Sequence, residues 1–207
     1  MFSARDGMFQ SDGEVRGPAD DMIKLPEYAC VVRTLPRGEH QYCLLLPRLK
    51  ESPAARRIES LATPLDLLLG TARVRIGPGA GYVWIDDEAP AIILVENYYQ
   101  QADELDLYLD LLHELTHLRQ LAEGHDLWDE SLPYVERATE IEGYSVAVEE
   151  GLRLGMTEDD ILRHLSNPWM TRADVLRLRA NVEQFLSNGV KSFSRGKARR
   201  IRNAHAD

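Results

Sequence analysis

The sequence predicts an α+β fold, with its strands first and its helices after them. Two observations carry this. Short β-branched and apolar runs bounded by Pro and Gly fill the chain up to about Glu96. From about Ala102 onward the apolar residues recur at helical spacing instead. Strands and helices segregated in this way imply layers, a small N-terminal β-sheet with a helical half packed on one side of it. The chain has 207 residues, 44% of them apolar and 28% charged, which suits a single domain with a real core.

The elements follow in order. Residues 1–22 carry few apolar side chains and no period, and read as a disordered arm. "YACVVRTL" (28–35) and "QYCLLLP" (41–47) read as strands of a hairpin turning at "PRGEH", and "SPAARRIESLA" (52–62) as a helix. "ARVRIG" (72–77) and "GYVWID" (81–86) read as a second hairpin around "PGA", and "AIILVE" (91–96) as a buried strand. A long helix is expected from about Ala102 to Glu123, then a loop over "GHDLWDESLP", then a helix from about Tyr134 to Leu154. Two more are expected over "TEDDILRHL" and "RADVLRLRANVEQFL". Thr157 with Asp160, and Thr171 with Asp174, have the spacing of capping boxes. The domain so defined spans 23–189. Residues 190–207 read as a basic tail carrying Lys191, Arg195, Lys197, Arg199, Arg200 and Arg202.

The net charge of −10 argues against nucleic-acid binding by the folded body, leaving only a weak contact through the basic tail. No apolar run is long enough to span a membrane, and the first twenty residues lack the apolar core of a signal peptide, so the expected compartment is the cytoplasm. Cys30 and Cys43 suit a reducing compartment in which neither is paired.

The chemistry concentrates in "LDLLHELTHLRQL" (109–121). On a helix His113 and His117 lie about 40° apart and share a narrow polar stripe with Asp106, Asp110 and Gln120, beside the leucines and not among them. Side chains four residues apart project from one face, so two imidazoles can bind one Zn²⁺. Glu114 projects about 100° further round, too far to be a third ligand on that face but within reach of a water on the open coordination position. Asp110, one turn before His113, is placed to accept from an imidazole.

A catalytic zinc needs a third protein ligand. The HExxHxxGxxH pattern does not supply it, because Gln120 stands where that pattern has Gly, Glu123 stands where it has His, and His125 is out of register. The later segment "PYVERATEIEGYSVAVEEG" offers glutamates instead. Gly143, Ala147 and Gly151 lie on the face of Glu140 and would let another helix approach it closely, which favours Glu140; Glu136 and Glu142 remain candidates. The core stripe of this helix is expected over Ala138, Ile141, Ser145, Val148 and Leu152, with Glu142, Glu149 and Glu150 toward solvent.

HELTH followed by "ERATEIEGY" resembles the gluzincin arrangement, and is similar to ImmA/IrrE-type proteases and to the soluble core of Ste24-like proteases. In those a glutamate precedes a small residue by three positions, here Glu140 and Gly143, with Tyr144 where Asp is frequent. The resemblance covers about forty residues. It implies a zincin-like fold, Zn²⁺ on His113, His117 and Glu140, and Glu114 as general base. It also implies that a peptide substrate adds as a strand to a sheet edge beside the active helix, for which "GAGYVWIDD" (79–87) is the candidate. Tyr144 and Tyr134, and more weakly His164, are candidate donors to an oxyanion. The expected function is a zinc metallopeptidase acting on a peptide or protein. The alternative is a regulatory or interaction protein that binds zinc on the same scaffold without cleaving.

Overall fold

The computed structural model describes residues 23–203, with side chains to residue 188. The N-terminal arm and the basic side chains from Lys191 onward lie outside the described residues. The sheet holds β1 (Gly38–Gln41), β2 (Arg73–Gly77), β3 (Val83–Asp86) and β4 (Ala91–Val95), in the order β1-β2-β4-β3. Between β1 and β2 lie two short helices, α1 (Ala55–Ile58) and α2 (Leu65–Thr71). After the sheet come α3 (Glu96–Gln101), α4 (Glu104–Ala122), α5 (Ala138–Leu154), α6 (Glu158–His164) and α7 (Arg172–Asn203). The α+β order is therefore as the sequence predicts, strands first.

Two sheet expectations are overturned. The first hairpin does not form. β1 is the segment read as its turn, and Tyr42–Leu44 is a 3₁₀ turn. Side chains do the work of a ladder along the extended chain before β1: the Arg33 guanidinium donates to the carbonyls of Tyr99 and Ala102 at the end of α3, and the Tyr99 hydroxyl donates to Val32 and accepts from the Leu35 amide. Cys30 and Cys43, which such a hairpin could have set facing one another, are both free thiols. Nor do β2 and β3 pair. β4 lies between them, parallel to β2 and antiparallel to β3, so the true hairpin is β3–β4. The reason is burial: Ile92 and Leu94 pair across β4 with Val74 and Ile76 on one side and with Ile85 and Val83 on the other. The most apolar strand takes the centre, buried by a neighbour on each edge.

One face of this sheet carries Val74, Ile76, Ile85, Ile92 and Leu94, all buried, and packs on the helices. The other carries Arg75 between Glu39 and Asp86, an exposed ladder of charges that suits a face left to water. The helix expected over 52–62 shortens to the single turn of α1. The expected long helix forms as α4, with α3 a separate short helix before it: Asp103 caps α4 by accepting from the Leu105 and Asp106 amides. Both capping boxes form, Thr157 with Asp160 and Thr171 with Asp174.

α4 is the central element. From Leu111 to Gln120 every residue is buried, between the sheet and α5. The buried face of α5 is broader than the expected stripe: Ser145 and Val148 are buried and Ile141 half-buried as expected, and the small-residue face of Glu140 is buried with them. Ala138 and Leu152 are exposed, and Glu140, Gly143, Ala147 and Gly151 face α4. Size, not apolarity, selects that face, because the two helices run close together there. Glu150 is also not in solvent. Its carboxylate is buried, accepts from the Tyr108 and Ser52 hydroxyls, and pairs with Arg153. α5 ends at Gly155, whose φ of +105° is the left-handed cap that glycine favours.

These neighbouring glutamates make a test of the packing. Glu150→Ala leaves one of the two buried hydroxyls, which also bond to each other, short of an acceptor and should cost about 1–3 kcal/mol in urea unfolding. Glu149→Ala removes only a half-exposed ion pair with Arg57 and should change stability by less than about 0.5 kcal/mol.

Candidate metal centre

α4 presents His113 and His117 one turn apart, and α5 brings Glu140 against them. His113 Nε2 and His117 Nε2 are 2.8 Å apart, and Glu140 Oε2 lies 3.4 Å from the first and 3.5 Å from the second. All three side chains are buried. A tetrahedral ion with ligands at about 2.0–2.1 Å sets them about 3.3–3.4 Å apart, so two of the three spacings already match and the third is slightly short. Glu140 Oε2 is buried with no hydrogen-bond partner, which is costly for a carboxylate unless a cation completes it. The triad is the one group of three or more metal-ligating side chains found among the described residues, and it could hold a metal ion.

The surroundings orient these ligands unequally. His117 Nδ1 is 2.7 Å from Gln120 Oε1, which can only accept, so Nδ1 carries a proton and Nε2 is the atom turned to the triad. Gln120 is held the right way round because its amide nitrogen donates to the Thr139 carbonyl and to Glu142. Arg119 in turn pairs with Glu142 and Glu123. His113 Nδ1 has no partner. Its ring lies instead between Tyr144, at 4.2 Å between ring centres, and the backbone of Gly143.

The electrostatics have the character of a cation site. Burial works against ionisation of Glu140, but the two imidazoles more than offset it and hold its carboxyl well below the usual range. Burial likewise lowers His117, yet Glu140 and Glu114 raise it to about 9. His113 is pulled down to about 4 by burial and by His117. Glu114 lines the adjoining cavity of about 300 Å³, and burial, with Glu140 and Asp110 adding to it, pushes it up to about 8 against the pull of His117.

The remaining candidates are placed as follows. Glu136 is apart from the triad, bonded to Arg177, and Glu142 supports Gln120 and Arg119 instead of joining the ligands. His125 is exposed. Tyr144 lines the cavity with its hydroxyl bonded to Tyr134 and Asn167. Asp110 accepts from the Tyr98 hydroxyl, and the imidazole it faces is that of His164 and not that of a triad histidine. The role of Gln120 had no sequence signal beyond its place on the polar stripe. Trp169 and Asn167, which also line the cavity, had none, because loop residues after α6 follow no period.

Comparison with protein-family models, with curated proteins and with solved structures finds no match for this chain.

The contact at Gly143 can be tested directly. A Cβ there would stand 2.9 Å from His113 Nδ1 and 3.0 Å from Cε1, with a buried ring that has nowhere to retreat. In an exposed helix Gly→Ala stabilises by about 1 kcal/mol. Here Gly143→Ala should destabilise by about 1–3 kcal/mol in urea unfolding, the sign reversed by overpacking.

Proposed function

We propose that this protein is a zinc-dependent peptidase of gluzincin type, with His113, His117 and Glu140 holding the metal and Glu114 as general base. One observation carries the reading: two imidazole nitrogens and a carboxylate oxygen converge within 3.5 Å of one another, beside a cavity that His113 and Glu114 both line. Three protein ligands leave one position open, as catalytic zinc requires. A zinc ion held there supplies a Lewis acid that lowers the pKa of water and polarises a carbonyl.

The chain's own groups do the rest. Glu114 takes the proton of the attacking water as its oxygen bonds to the peptide carbon. It then delivers that proton to the amine nitrogen as the C–N bond breaks. The Tyr134 and Tyr144 hydroxyls are 3.0 Å apart, and Asn167 donates to Tyr144. Their mutual bond uses one of their two protons, and the other can turn to Glu140 or to a developing oxyanion at the cavity wall.

β3 is an outer strand of the sheet, and Val83 lines the cavity. The Val95 amide donates to the Tyr82 carbonyl, and bonded pairs alternate along an antiparallel ladder. The N–H and C=O groups of Val83 and Ile85 therefore point away from β4. An extended peptide pairing with them passes the triad, which supports a peptide as substrate.

Protein purified without added metal should carry about one zinc ion per chain, and His113→Ala or Glu140→Ala should lose it. Glu114→Gln should keep the zinc and lose peptide cleavage by at least about 100-fold. A Glu114→Gln protein that cleaves as the wild type does would overturn the assignment of the base. A wild type that binds zinc and cleaves nothing would leave the non-proteolytic reading in its place.

A further inference from the structure

The polar stripe of α4 continues past the triad. One and two turns before His113 it carries Asp110 and Asp106, and both line the same cavity as His113 and Glu114. His164, at the end of α6, sits between them with its side chain only 3% exposed. Its Nδ1 lies 3.3 Å from Asp106 Oδ1, a carboxylate that can only accept, so Nδ1 carries a proton. Its Nε2 lies 3.9 Å from Asp110 Oδ1, too far for a hydrogen bond, and has no partner. The Tyr98 hydroxyl occupies Asp110 Oδ2 and leaves Oδ1 turned toward His164.

A ring nitrogen and a carboxylate oxygen at this separation leave a place for one donor, which the His164 ring opens by turning toward the cavity it lines, since Nε2 is itself buried. A nitrogen about 2.9 Å from each would bond to both. The charges agree with the geometry. Two carboxylates share one imidazole, so with both ionised the group has a negative charge in excess; burial raises the Asp110 carboxyl, and a cation beside it would oppose that. Arg163, which also borders the cavity, is 58% exposed and turned to Asp160 at 2.6 Å. Tyr82, Tyr98 and Trp169 add aromatic walls, whose faces attract cations.

We propose that this end of the cavity binds a primary ammonium group of the substrate, either the free amino terminus of a peptide or a lysine side chain. The inference rests on the peptidase reading of the neighbouring triad. An ammonium has three donors and no acceptor, which matches His164 Nε2, Asp110 Oδ1 and one further acceptor such as Asp106. It also supplies the charge that the two carboxylates otherwise draw onto the ring: burial lowers the proton affinity of His164, and Asp106 and Asp110 more than reverse this. Asp110 stands about 4.5 Å along the helix axis from His113. An extended residue spans about 3.3–3.6 Å, so the ammonium lies within about two residues of a carbonyl at the triad.

The test is equilibrium binding to zinc-loaded, full-length Glu114→Gln protein, which stops turnover. The probes are alanine-based hexapeptides labelled at the C-terminus, with a free or acetylated amino terminus and with lysine or norleucine walked through each position. Binding should be at least about 10-fold tighter for the free terminus, or for lysine at one position, than for the acetylated norleucine peptide. The gain should vanish in Asp110→Asn and in Asp106→Asn, each checked by zinc content and thermal melting so that either folded variant decides. Which probe gains separates the two sources of the ammonium. Equal binding of all probes, no measurable binding of any, or a gain that survives both substitutions would overturn the subsite. Cleavage by the wild type without ammonium preference removes the subsite and keeps the peptidase reading; preferential binding with no wild-type cleavage does the reverse.

Discussion

The close approach of α5 to α4 at Gly143 is the contact on which the rest of the structure depends. α4 alone can present His113 and His117, but a metal-ligating triad needs a carboxylate from another element within about 3.5 Å of both rings. Only a helix without a side chain at the point of contact can come that near. Gly143 meets the His113 ring, and Gly151 two turns later meets Leu109 and Ile161, so the small-residue face of α5 seats Glu140 where it is needed. The packing and the site are one interaction seen from two sides.

That interaction places polar groups where a core would otherwise be. Asp110, His113, Glu114, His117, Arg119 and Gln120 sit on one buried or half-buried helix. Such groups are tolerated when each is paired or bonded. Most are: Arg119 has Glu123 and Glu142, Gln120 has His117 and Thr139, Asp110 has Tyr98. The exceptions are informative. His113 Nδ1 is orphaned by the approach of Gly143, while Glu140 Oε2 and His164 Nε2 await groups that the chain itself does not provide. Nitrogens of Arg119 and Arg137 also lack a hydrogen-bond partner, but the orphaned atoms of His113, Glu140 and His164 fall in or beside one cavity.

Much of this was legible in the sequence because it is local. The spacing of His113 and His117, the leucine face of α4, the capping boxes and the small residues of α5 all act within one helix, where the 3.6-residue period applies. What was not legible depends on partners far away in the chain. Glu150 read as a solvent carboxylate because its acceptor role is set by Tyr108, 42 residues before it, and Ser52, 98 before it. The first hairpin was misread because Arg33 and Tyr99 replace a backbone ladder, and apolar runs alone cannot show that. β2 and β3 carried good turn chemistry between them, yet the more apolar β4 took the place in the middle. Leu152 fell on the expected core stripe by its apolarity, yet it is exposed, because nothing in the period of one helix shows where its neighbours end.

The most direct test of the central claim is zinc K-edge X-ray absorption on the full-length protein loaded with one equivalent of zinc. Two imidazoles, one carboxylate oxygen and one further light ligand at about 2.0–2.1 Å are expected. Glu140→Gln should change that shell. A shell without imidazole, or a spectrum that Glu140→Gln leaves as it was, would contradict the account.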